Sequence, residues 1–310
     1  MATARPRRKA ATRRSWPMRI LLWFAAAIAV FLLGSTLWVL AYRFVNPPIT
    51  FTQLGDMLGG RRLERQWMAI ERIDRDMVRA VIGGEDSKFC THSGFDRQAI
   101  EAAMRRNARG GAVIRGGSTI SQQTAKNAFL WQGGGYFRKG LEAWFTLLIE
   151  TLWSKRRIME VYLNVAETGI GTYGVNAGAQ RYFGHDASTL SRAEAARIAA
   201  VLPLPKRREA AAPSGFTRRY GNMISARMAV VARGGLDACV YQGAAPPRER
   251  PEAVPMRRPL PPRSTAPATP RVQQQQAPLP GEEYETQQPT SPRPAPEDPS
   301  LPPEPEVNGM

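Results

Sequence analysis

Two acidic residues follow a pair of glycines at a position where a carboxylate could act as a general base. Glu85 and Asp86 come directly after Gly83-Gly84, and Phe89 lies close behind them. A carboxylate that is held on a turn beside an aromatic ring loses part of its hydration, which raises its pKa towards the range of a working base. A second interpretation is that the two acids cap the following turn. Spacing alone allows both interpretations.

A third acidic residue is surrounded by basic residues further along the chain. Arg138 and Glu142 have i, i+4 spacing, which is typical of a surface ion pair worth about 0.3–0.5 kcal/mol. Lys126, Lys139 and Lys155 are further cations that would suit a diphosphate group, although basic residues are common at helix ends. The residue types therefore indicate acid–base or diphosphate chemistry without naming a reaction.

Metal and thiol chemistry have little support in the composition. The chain of 310 residues contains 2 cysteines and 2 histidines, which excludes a zinc ribbon or a disulfide scaffold. His92 has no second histidine nearby, so we expect it to form structural hydrogen bonds. An oxidising compartment would allow Cys90 to pair with Cys239, but we expect a buried or inert thiol because sequence gives no distance between them.

The elements that position these residues are predicted to be helices. Apolar residues recur with helical spacing, whereas strict alternation of apolar and polar residues is almost absent. Capping residues and apolar stripes predict seven helices. The first three cover about 75–82, ending at Gly83-Gly84, a segment that begins at Asp96, and a segment from the Thr119–Gln122 capping box to Phe129. The other four are Tyr136–Trp153, Lys155–Asn164, 192–202 after the Ser191–Glu194 capping box, and Thr217–Arg233. The glycine-rich stretches 110–117 and 133–135 are predicted to be mobile loops. The domain is predicted to be all-α.

An apolar segment near the N-terminus predicts a membrane anchor. Residues 20–42 form an uncharged run of 23 residues, and a bilayer-spanning helix needs about 20. A cleaved signal peptide, the alternative, has a shorter apolar core of roughly 7–15 residues. Seven basic residues precede the run, so residues 1–19 are predicted to be a cytoplasmic arm and everything after the span to lie outside the cytoplasm.

The charge balance and the proline distribution divide the rest of the chain. The net charge is +17, yet basic and aromatic residues are not interleaved as in a nucleic-acid-binding module, so we expect no nucleic acid partner. Anionic lipid or a phosphate-bearing substrate suits this charge better. Residues 246–310 hold 19 of the 26 prolines and are predicted to be a disordered tail that catalysis does not need. Residues 46–245 remain for the folded domain.

Five sequence blocks resemble those of the peptidoglycan glycosyltransferases that polymerise lipid II. In chain order the blocks are Glu85-Asp-x-x-Phe89-x-x-His92-x-Gly94-x-Asp96, Gly116-Gly-Ser-Thr-Ile-Ser-Gln-Gln123 with Lys126-Asn127, Arg138-Lys-x-x-Glu142, Lys155-x-x-Ile158-x-Glu160-x-Tyr162-Leu163-Asn164, and Gly171-x-x-Gly174-Val175. With one anchor and no room for a transpeptidase domain, the chain is most similar to the monofunctional members from Gram-negative bacteria.

This resemblance implies a lysozyme-like helical fold and a role for each motif residue. Glu85 would be the general base, and Glu142 the second catalytic residue, which positions substrate or a cation. Lys126 and Arg138 would stabilise the leaving diphosphate, with Lys139 and Lys155 beside them. The remaining substrate-binding residues, which would line the cleft, are Ser118, Thr119, Gln122, Gln123 and Asn127.

The same resemblance implies partners and a location. The substrates would be lipid II and a growing glycan strand, used by a periplasmic domain anchored in the bacterial inner membrane. Division or wall-synthesis proteins are expected partners, and a divalent metal, Mg or Mn, could assist without ligands that the sequence defines. Two alternatives stay open: a lysozyme-like enzyme that cleaves finished glycan, and a non-catalytic membrane scaffold with a recruiting tail.

One departure from the family pattern concerns the leaving group. The family often has an arginine four residues before Arg138, where this chain has Gly134. We therefore expect one diphosphate-facing cation to be missing, and Gly134→Arg to raise the turnover number.

Overall fold

The computed structural model describes residues 16–108 and 117–241. Most of the predicted cytoplasmic arm, residues 109–116 of the glycine-rich loop and the proline-rich tail lie outside these described residues. Contacts divide the chain into two units, one of residues 1–100 with 117–255 and one of residues 101–116 with 256–310. Of the second unit, the described part is the end of one helix, Glu101–Ala108.

Helices dominate the described residues, as predicted. Their bounds are α1 Trp16–Phe44, α2 Phe51–Leu58, α3 Arg75–Glu85, α4 Arg97–Ala108, α5 Ile120–Phe129, α6 Gly135–Leu152, α7 Lys155–Val165, α8 Val175–Phe183, α9 Arg192–Val201, α10 Gly215–Arg233 and α11 Ala238–Tyr241. The helices with predicted capping residues begin where the sequence placed them. Thr119 and Ser191 form capping boxes with Gln122 and Glu194, and Asp96 accepts a hydrogen bond from the amide of Ala99.

A small sheet, which the sequence analysis did not predict, lies among the helices. Its strands are β1 Glu64–Arg65, β2 Glu167–Gly169 and β3 Thr172–Tyr173. The strand order is β1-β3-β2, with β1 parallel and β2 antiparallel to β3. Strands of two or three residues are too short to show an alternating pattern, so they could not be predicted from the sequence.

The C-terminal part of α1 packs against the folded domain. Trp153 donates a hydrogen bond from its indole nitrogen to the carbonyl of Val39 at 2.8 Å, and Trp144 donates one to the hydroxyl of Ser35 at 3.1 Å. The ring of Trp38 meets that of Phe129 edge-on at 5.2 Å. The N-terminal part of α1 is apolar and exposed, and α1 is the one described helix that is long and apolar enough to cross a membrane.

Helix α3 is nearly enclosed, because it packs on both α9 and α10. The sequence analysis ended this helix at Gly83-Gly84, but the structure continues it to Glu85. The two glycines do not break the helix; they allow α10 to approach closely. A Cβ at Gly84 would lie 3.0 Å from Cδ1 of Ile224, and one at Gly83 would lie 3.2 Å from Cβ of Arg227.

The segment around α11 is linked to α3 and to the loop that follows α3. Asp237 is 1% exposed and accepts hydrogen bonds from Nε of Arg75 at 2.8 Å and Nε of Arg79 at 3.0 Å. Cys90 and Cys239 form a disulfide, so the expectation of a buried or inert thiol was wrong. The chain folds back after α10 and brings the two Cα atoms to 5.5 Å, a distance within the range that a disulfide spans.

Candidate active site

Glu85 is the last residue of α3, and its side chain has one partner for two oxygens. Gln123 donates a hydrogen bond of 2.8 Å from Nε2 to Oε2 of Glu85. The other oxygen, Oε1, is buried and has no partner among the described residues. Burial raises the pKa of Glu85, while the hydrogen bond from Gln123 and the charges of Arg208 and Lys126 lower it; burial has the larger effect. The carboxylate is therefore oriented and partly dehydrated, as a general base requires.

The neighbouring acid, Asp86, has a structural role. Its carboxylate accepts hydrogen bonds from Nε2 of His92 at 2.8 Å and from the backbone amide of Ile120 at 3.0 Å. Because Nδ1 of His92 accepts from the amide of Gly94 at 3.1 Å, the hydrogen of this ring is on Nε2. Asp86 thus places a negative charge at the N-terminus of α5, where the helix dipole favours it. It fixes the first motif loop, residues 86–96, against the helix that carries Gln123.

Helix α5 has two functions along its length. At its start, the hydroxyl of Thr119 donates to the carbonyl of Gly94 at 2.6 Å, and the side chain of Gln122 accepts from the amide of Thr119. Both side chains are buried in capping bonds, while Ser118 before them is exposed. Gln123, Lys126 and Asn127 lie on one face of α5 and line a pocket, whereas Ser118, Thr119 and Gln122 are not among its lining residues.

Glu142 lies at the centre of a cluster of cations. Its side chain is buried and accepts hydrogen bonds from Arg138, at 3.1 Å, and from Lys139. This pair was expected to be a surface ion pair; instead the Arg138 side chain is only 18% exposed, because α6 packs this face towards α5. Burial lowers the pKa of Lys126, and so do the charges of Arg138 and Lys139; the carboxylates of Glu142 and Glu85 act in the opposite direction. Lys126 therefore lies within the influence of both predicted catalytic acids.

Lys155 occupies a different environment from the other predicted diphosphate cations. Its ammonium donates hydrogen bonds to Glu150 at 2.8 Å and to the carbonyl of His92 at 2.7 Å. It also lies 4.7 Å from the centre of the Phe89 ring. These contacts hold the first motif loop against the start of α7, and Lys155 is not among the residues that line the pocket.

The pocket has a mixed polar and apolar lining and a volume of about 390 Å³; Glu85 is not in this lining but is bonded to Gln123, which is. Besides the three residues of α5, the residues that line it are Thr52, Gln132, Tyr162, Val165, Ala166, Glu167, Tyr173 and the segment 202–207. Sequence reasoning assigned no role to Tyr162, although it lies within the fourth block, or to Glu167 and Lys206. No local pattern marks Glu167 or Lys206, and these residues meet Tyr162 only when α7, β2 and the turn after α9 come together.

Further residues support the end of α3 that carries Glu85. Tyr220 donates a hydrogen bond of 2.9 Å to the carbonyl of Gly84. The guanidinium of Arg208 lies over the rings of Phe216 and Tyr220, at 5.0 and 5.6 Å from their centres. The sequence analysis missed Arg208 and Tyr220, because they are more than one hundred residues from Glu85 in the chain.

Gly134 does not leave room for the arginine that the family pattern suggests. It is the residue before α6 and has φ of +93°, where an L side chain is strained. A Cβ there would lie 3.0 Å from Cβ of Arg138 and 3.1 Å from Nε1 of Trp131. The structure thus argues against the expectation that Gly134→Arg raises turnover, because an arginine there would disturb Arg138 itself.

The part of the chain that the structure describes contains no ready-made ligand set for a metal ion. No group of three or more His, Cys, Asp or Glu side chains is placed there to hold a metal ion. Glu142 is already bonded to two cations, and Asp86 to His92 and Ile120. The carboxylates of Glu142 and Asp86 are therefore already occupied by protein partners.

Comparison with known proteins supports the resemblance seen in the motifs. The transglycosylase family matches residues 52–229. The biosynthetic peptidoglycan transglycosylase of Caulobacter vibrioides is 47% identical over 215 residues, which cover 69% of this chain and 93% of that protein. The proteins of the same name from Xanthomonas campestris pv. campestris and Pseudomonas putida are both 49% identical; the matches cover 70% and 68% of this chain, and 87% and 88% of those proteins.

The matched span contains Glu85, the cation cluster around Glu142 and every residue of the pocket, and the helices around them have the lysozyme-like arrangement that the motifs implied. The chain therefore belongs to the transglycosylase family.

Proposed function

We propose that this chain is a peptidoglycan glycosyltransferase that polymerises lipid II into β-1,4-linked glycan strands. The observation that carries the proposal is Glu85, a carboxylate with a raised pKa and one oxygen without a partner, bonded to a residue that lines the pocket. A group in this state can accept a proton from a substrate hydroxyl without first giving up a bond to the protein.

Glu85 is the general base in this mechanism. Its Oε1 takes the proton of the 4-hydroxyl of the acceptor GlcNAc as that oxygen attacks the anomeric carbon of the donor MurNAc. The bond to the diphosphate breaks as the new bond forms, so the α-diphosphate becomes a β-1,4 linkage with inversion. Undecaprenyl diphosphate leaves with the electron pair of the broken bond. Gln123 holds the carboxylate in place throughout.

The cation cluster stabilises the charge that develops on the leaving diphosphate. Three cations, Lys126, Arg138 and Lys139, lie close to the single negative charge of Glu142. The surplus suits an anion, and fixed cations in a partly dehydrated site stabilise developing charge better than water does. Glu142 is a positioning residue in this scheme, since it orients Arg138 and Lys139. We assign Lys155 to the support of the first motif loop, and no step passes through a metal.

The proposed location follows from α1 and the sequence before it. We propose that α1 crosses the bacterial inner membrane once, with the basic N-terminal residues in the cytoplasm and the catalytic domain in the periplasm. Both substrates carry undecaprenyl chains and reside in that membrane. Wall-synthesis or division proteins are the proposed macromolecular partners, and nucleic acid is not.

Incubation of the purified full-length chain with labelled lipid II tests the function. Polymerisation yields long glycan, whereas the lysozyme-like alternative shortens finished glycan and the scaffold alternative changes neither. The family favours the first outcome over the two alternatives. Shortening of finished glycan without synthesis from lipid II would reject the proposal.

A reporter fused after Ala245 tests the orientation separately. An alkaline phosphatase fusion, which is active only after export, should be active, and a fusion to a reporter that matures in the cytoplasm should be silent. The reverse result would contradict a periplasmic catalytic domain.

A further inference from the structure

Two buried polar atoms near the pocket have no hydrogen-bond partner. Nearly all buried polar groups in folded proteins have such a partner, so each exception needs an explanation. Six unpartnered side-chain atoms occur among the residues that the structure describes, and they include Oε1 of Glu85 and the hydroxyl of Tyr162. A third, Oε1 of Glu167, lies 3.7 Å from Nζ of Lys206 in an ion pair, so its surroundings are explained. Tyr162 lines the pocket, and Glu85 is bonded to Gln123, which also lines it.

Tyr162 is the least expected member of this group, because it is almost completely enclosed. Its side chain belongs to α7 and is 1% exposed, yet its hydroxyl donates to no acceptor in the described structure. Burial raises the pKa of Tyr162 well above its ordinary value, and the carboxylate of Glu85 is the strongest charge that adds to this effect. The phenol therefore keeps its hydrogen at every working pH and remains a hydrogen-bond donor near Glu85.

We propose that Tyr162 is a further catalytic residue, whose phenol donates a hydrogen bond to the attacking hydroxyl oxygen while that hydroxyl donates its own hydrogen to Oε1 of Glu85. This inference rests on the proposed polymerase function and adds a contact to it. A sugar hydroxyl has one hydrogen to donate and two lone pairs, so it can satisfy both unpartnered groups at once.

The contact has a chemical consequence beyond binding. As Glu85 removes the proton, negative charge builds on the attacking oxygen, and a donor already aimed at that oxygen stabilises the charge without rearrangement. Neither the hydroxyl of Tyr162 nor Oε1 of Glu85 has a partner in the described structure, and one substrate oxygen bound by both would satisfy both.

Tyr162→Phe is the variant that tests the proposal, and Tyr241→Phe is its matched control. Tyr241 is also buried with an unpartnered hydroxyl, but it lies in α11 against Arg75, 4.5 Å from the ring centre, and does not line the pocket. Removing an unsatisfied buried hydroxyl is nearly neutral for folding. We expect both variants to keep the wild-type melting temperature.

The two variants should differ in activity towards lipid II. For Tyr162→Phe we expect kcat/KM to fall by about tenfold or more, the range for loss of one good hydrogen bond to a developing charge. The acid limb of the kcat/KM profile should stay in place, because it reports the pKa of Glu85 in the free enzyme. Tyr241→Phe should match the wild type in both respects.

Three results would overturn the assignment of Tyr162 while leaving the polymerase function intact. The first is a wild-type kcat/KM in Tyr162→Phe. The second is a loss of stability, seen as a failure to fold or as a melting temperature that falls together with the activity, which would indicate a packing role. The third is an acid limb that moves while the plateau of kcat/KM stays unchanged, which would indicate that Tyr162 acts on Glu85 alone. A wild-type chain that makes no glycan from lipid II would reject the function and the Tyr162 contact together.

Discussion

Gln123 donates a hydrogen bond of 2.8 Å to Glu85, and this bond joins α5 to the last residue of α3. The partner is a neutral amide, which orients the carboxylate but lowers its pKa less than a bonded cation would. Burial therefore has the larger effect, and the pKa of Glu85 is raised. Two cations of the site, Arg138 and Lys139, are instead bonded to Glu142. The two acids differ in their partners, and we expect their substitutions to differ in kind.

Glu85→Gln should abolish polymerisation while leaving the protein stable. A general base contributes about 10²–10⁴-fold to a rate, and glutamine keeps the size of the side chain but cannot accept the proton. Because the pKa of Glu85 is raised in the folded protein, the contribution of this carboxyl group to the free energy of unfolding falls as the pH rises through that pKa. At neutral pH the substitution should therefore keep or slightly raise the melting temperature. Glycan synthesis from lipid II and thermal unfolding measure the two effects.

An exposed glutamate is the control for Glu85→Gln. Glu101 is 62% exposed at its side chain and forms a surface ion pair with Arg105, so Glu101→Gln should retain both activity and stability. Near-normal polymerisation by folded Glu85→Gln would eliminate Glu85 as the base.

The acid limb of the activity profile should depend on Gln123. Glu85 must be ionised to act, and burial raises its pKa above the ordinary value of 4.5, so kcat/KM should fall as the pH drops through a value above 4.5. The bond from Gln123 lowers that pKa. Gln123→Leu should therefore move the acid limb to higher pH. A limb that stays in place, or moves to lower pH, would mean that the limb reports another group.

Glu142→Gln should impair the reaction through the cations rather than through proton transfer. The carboxylate is the largest influence that raises the pKa of Lys126, so its loss should lower that pKa and move the basic limb of kcat/KM to lower pH. The change also leaves Arg138 and Lys139 without their buried partner. We expect a loss of about 1–3 kcal/mol in the free energy of unfolding, moderated by the exposure of Lys139.

The control for Glu142→Gln is Glu85→Gln, which should keep or slightly raise the free energy of unfolding. Denaturant titration and pH profiles on the same preparations separate the two variants. An unmoved basic limb in a folded Glu142→Gln protein would contradict the proposed link between Glu142 and Lys126.

Reduction of the disulfide should weaken both the fold and the activity. Cys90 lies between Asp86 and His92 in the first motif loop, and Cys239 lies in α11, 149 residues further along the chain. A crosslink that closes a long loop typically contributes about 2–4 kcal/mol. A reductant should lower the denaturant midpoint and reduce glycan synthesis. The Cys90→Ser, Cys239→Ser double variant should behave like the reduced protein and show no further response to reductant; an unchanged midpoint in both would contradict the crosslink.

Local patterns in the sequence predicted the helices well. Thr119 with Gln122 and Ser191 with Glu194 are three residues apart, and both pairs form capping boxes. Such motifs are complete within one turn of helix, so sequence contains all the information that they need. The all-α fold class and the family resemblance, which rested on five such blocks, are confirmed.

Contacts between distant residues could not be predicted in the same way. Asp237 bonds to Arg75 and Arg79, which are 162 and 158 residues away, and neither end has a pattern that names the other. The role of Tyr162 was missed because an unpartnered hydroxyl is recognisable only when its surroundings are known. The assigned roles of Glu85, Glu142 and the cations remain predictions that the variants above test.

Gly134→Arg should lower stability and should not raise turnover. The residue has φ of +93°, which costs roughly 1–2 kcal/mol for a side chain with a Cβ, and that Cβ would lie 3.0 Å from Cβ of Arg138. Gly140→Arg is the matched control, because it adds the same charge to α6 where nothing lies within 4 Å and no positive φ is required. Arginine is favoured over glycine inside a helix by roughly 0.5–1 kcal/mol, so the control should be stabilised. Thermal unfolding and kcat measure both variants, and a raised kcat in Gly134→Arg alone would restore the hypothesis that a diphosphate-facing cation is missing.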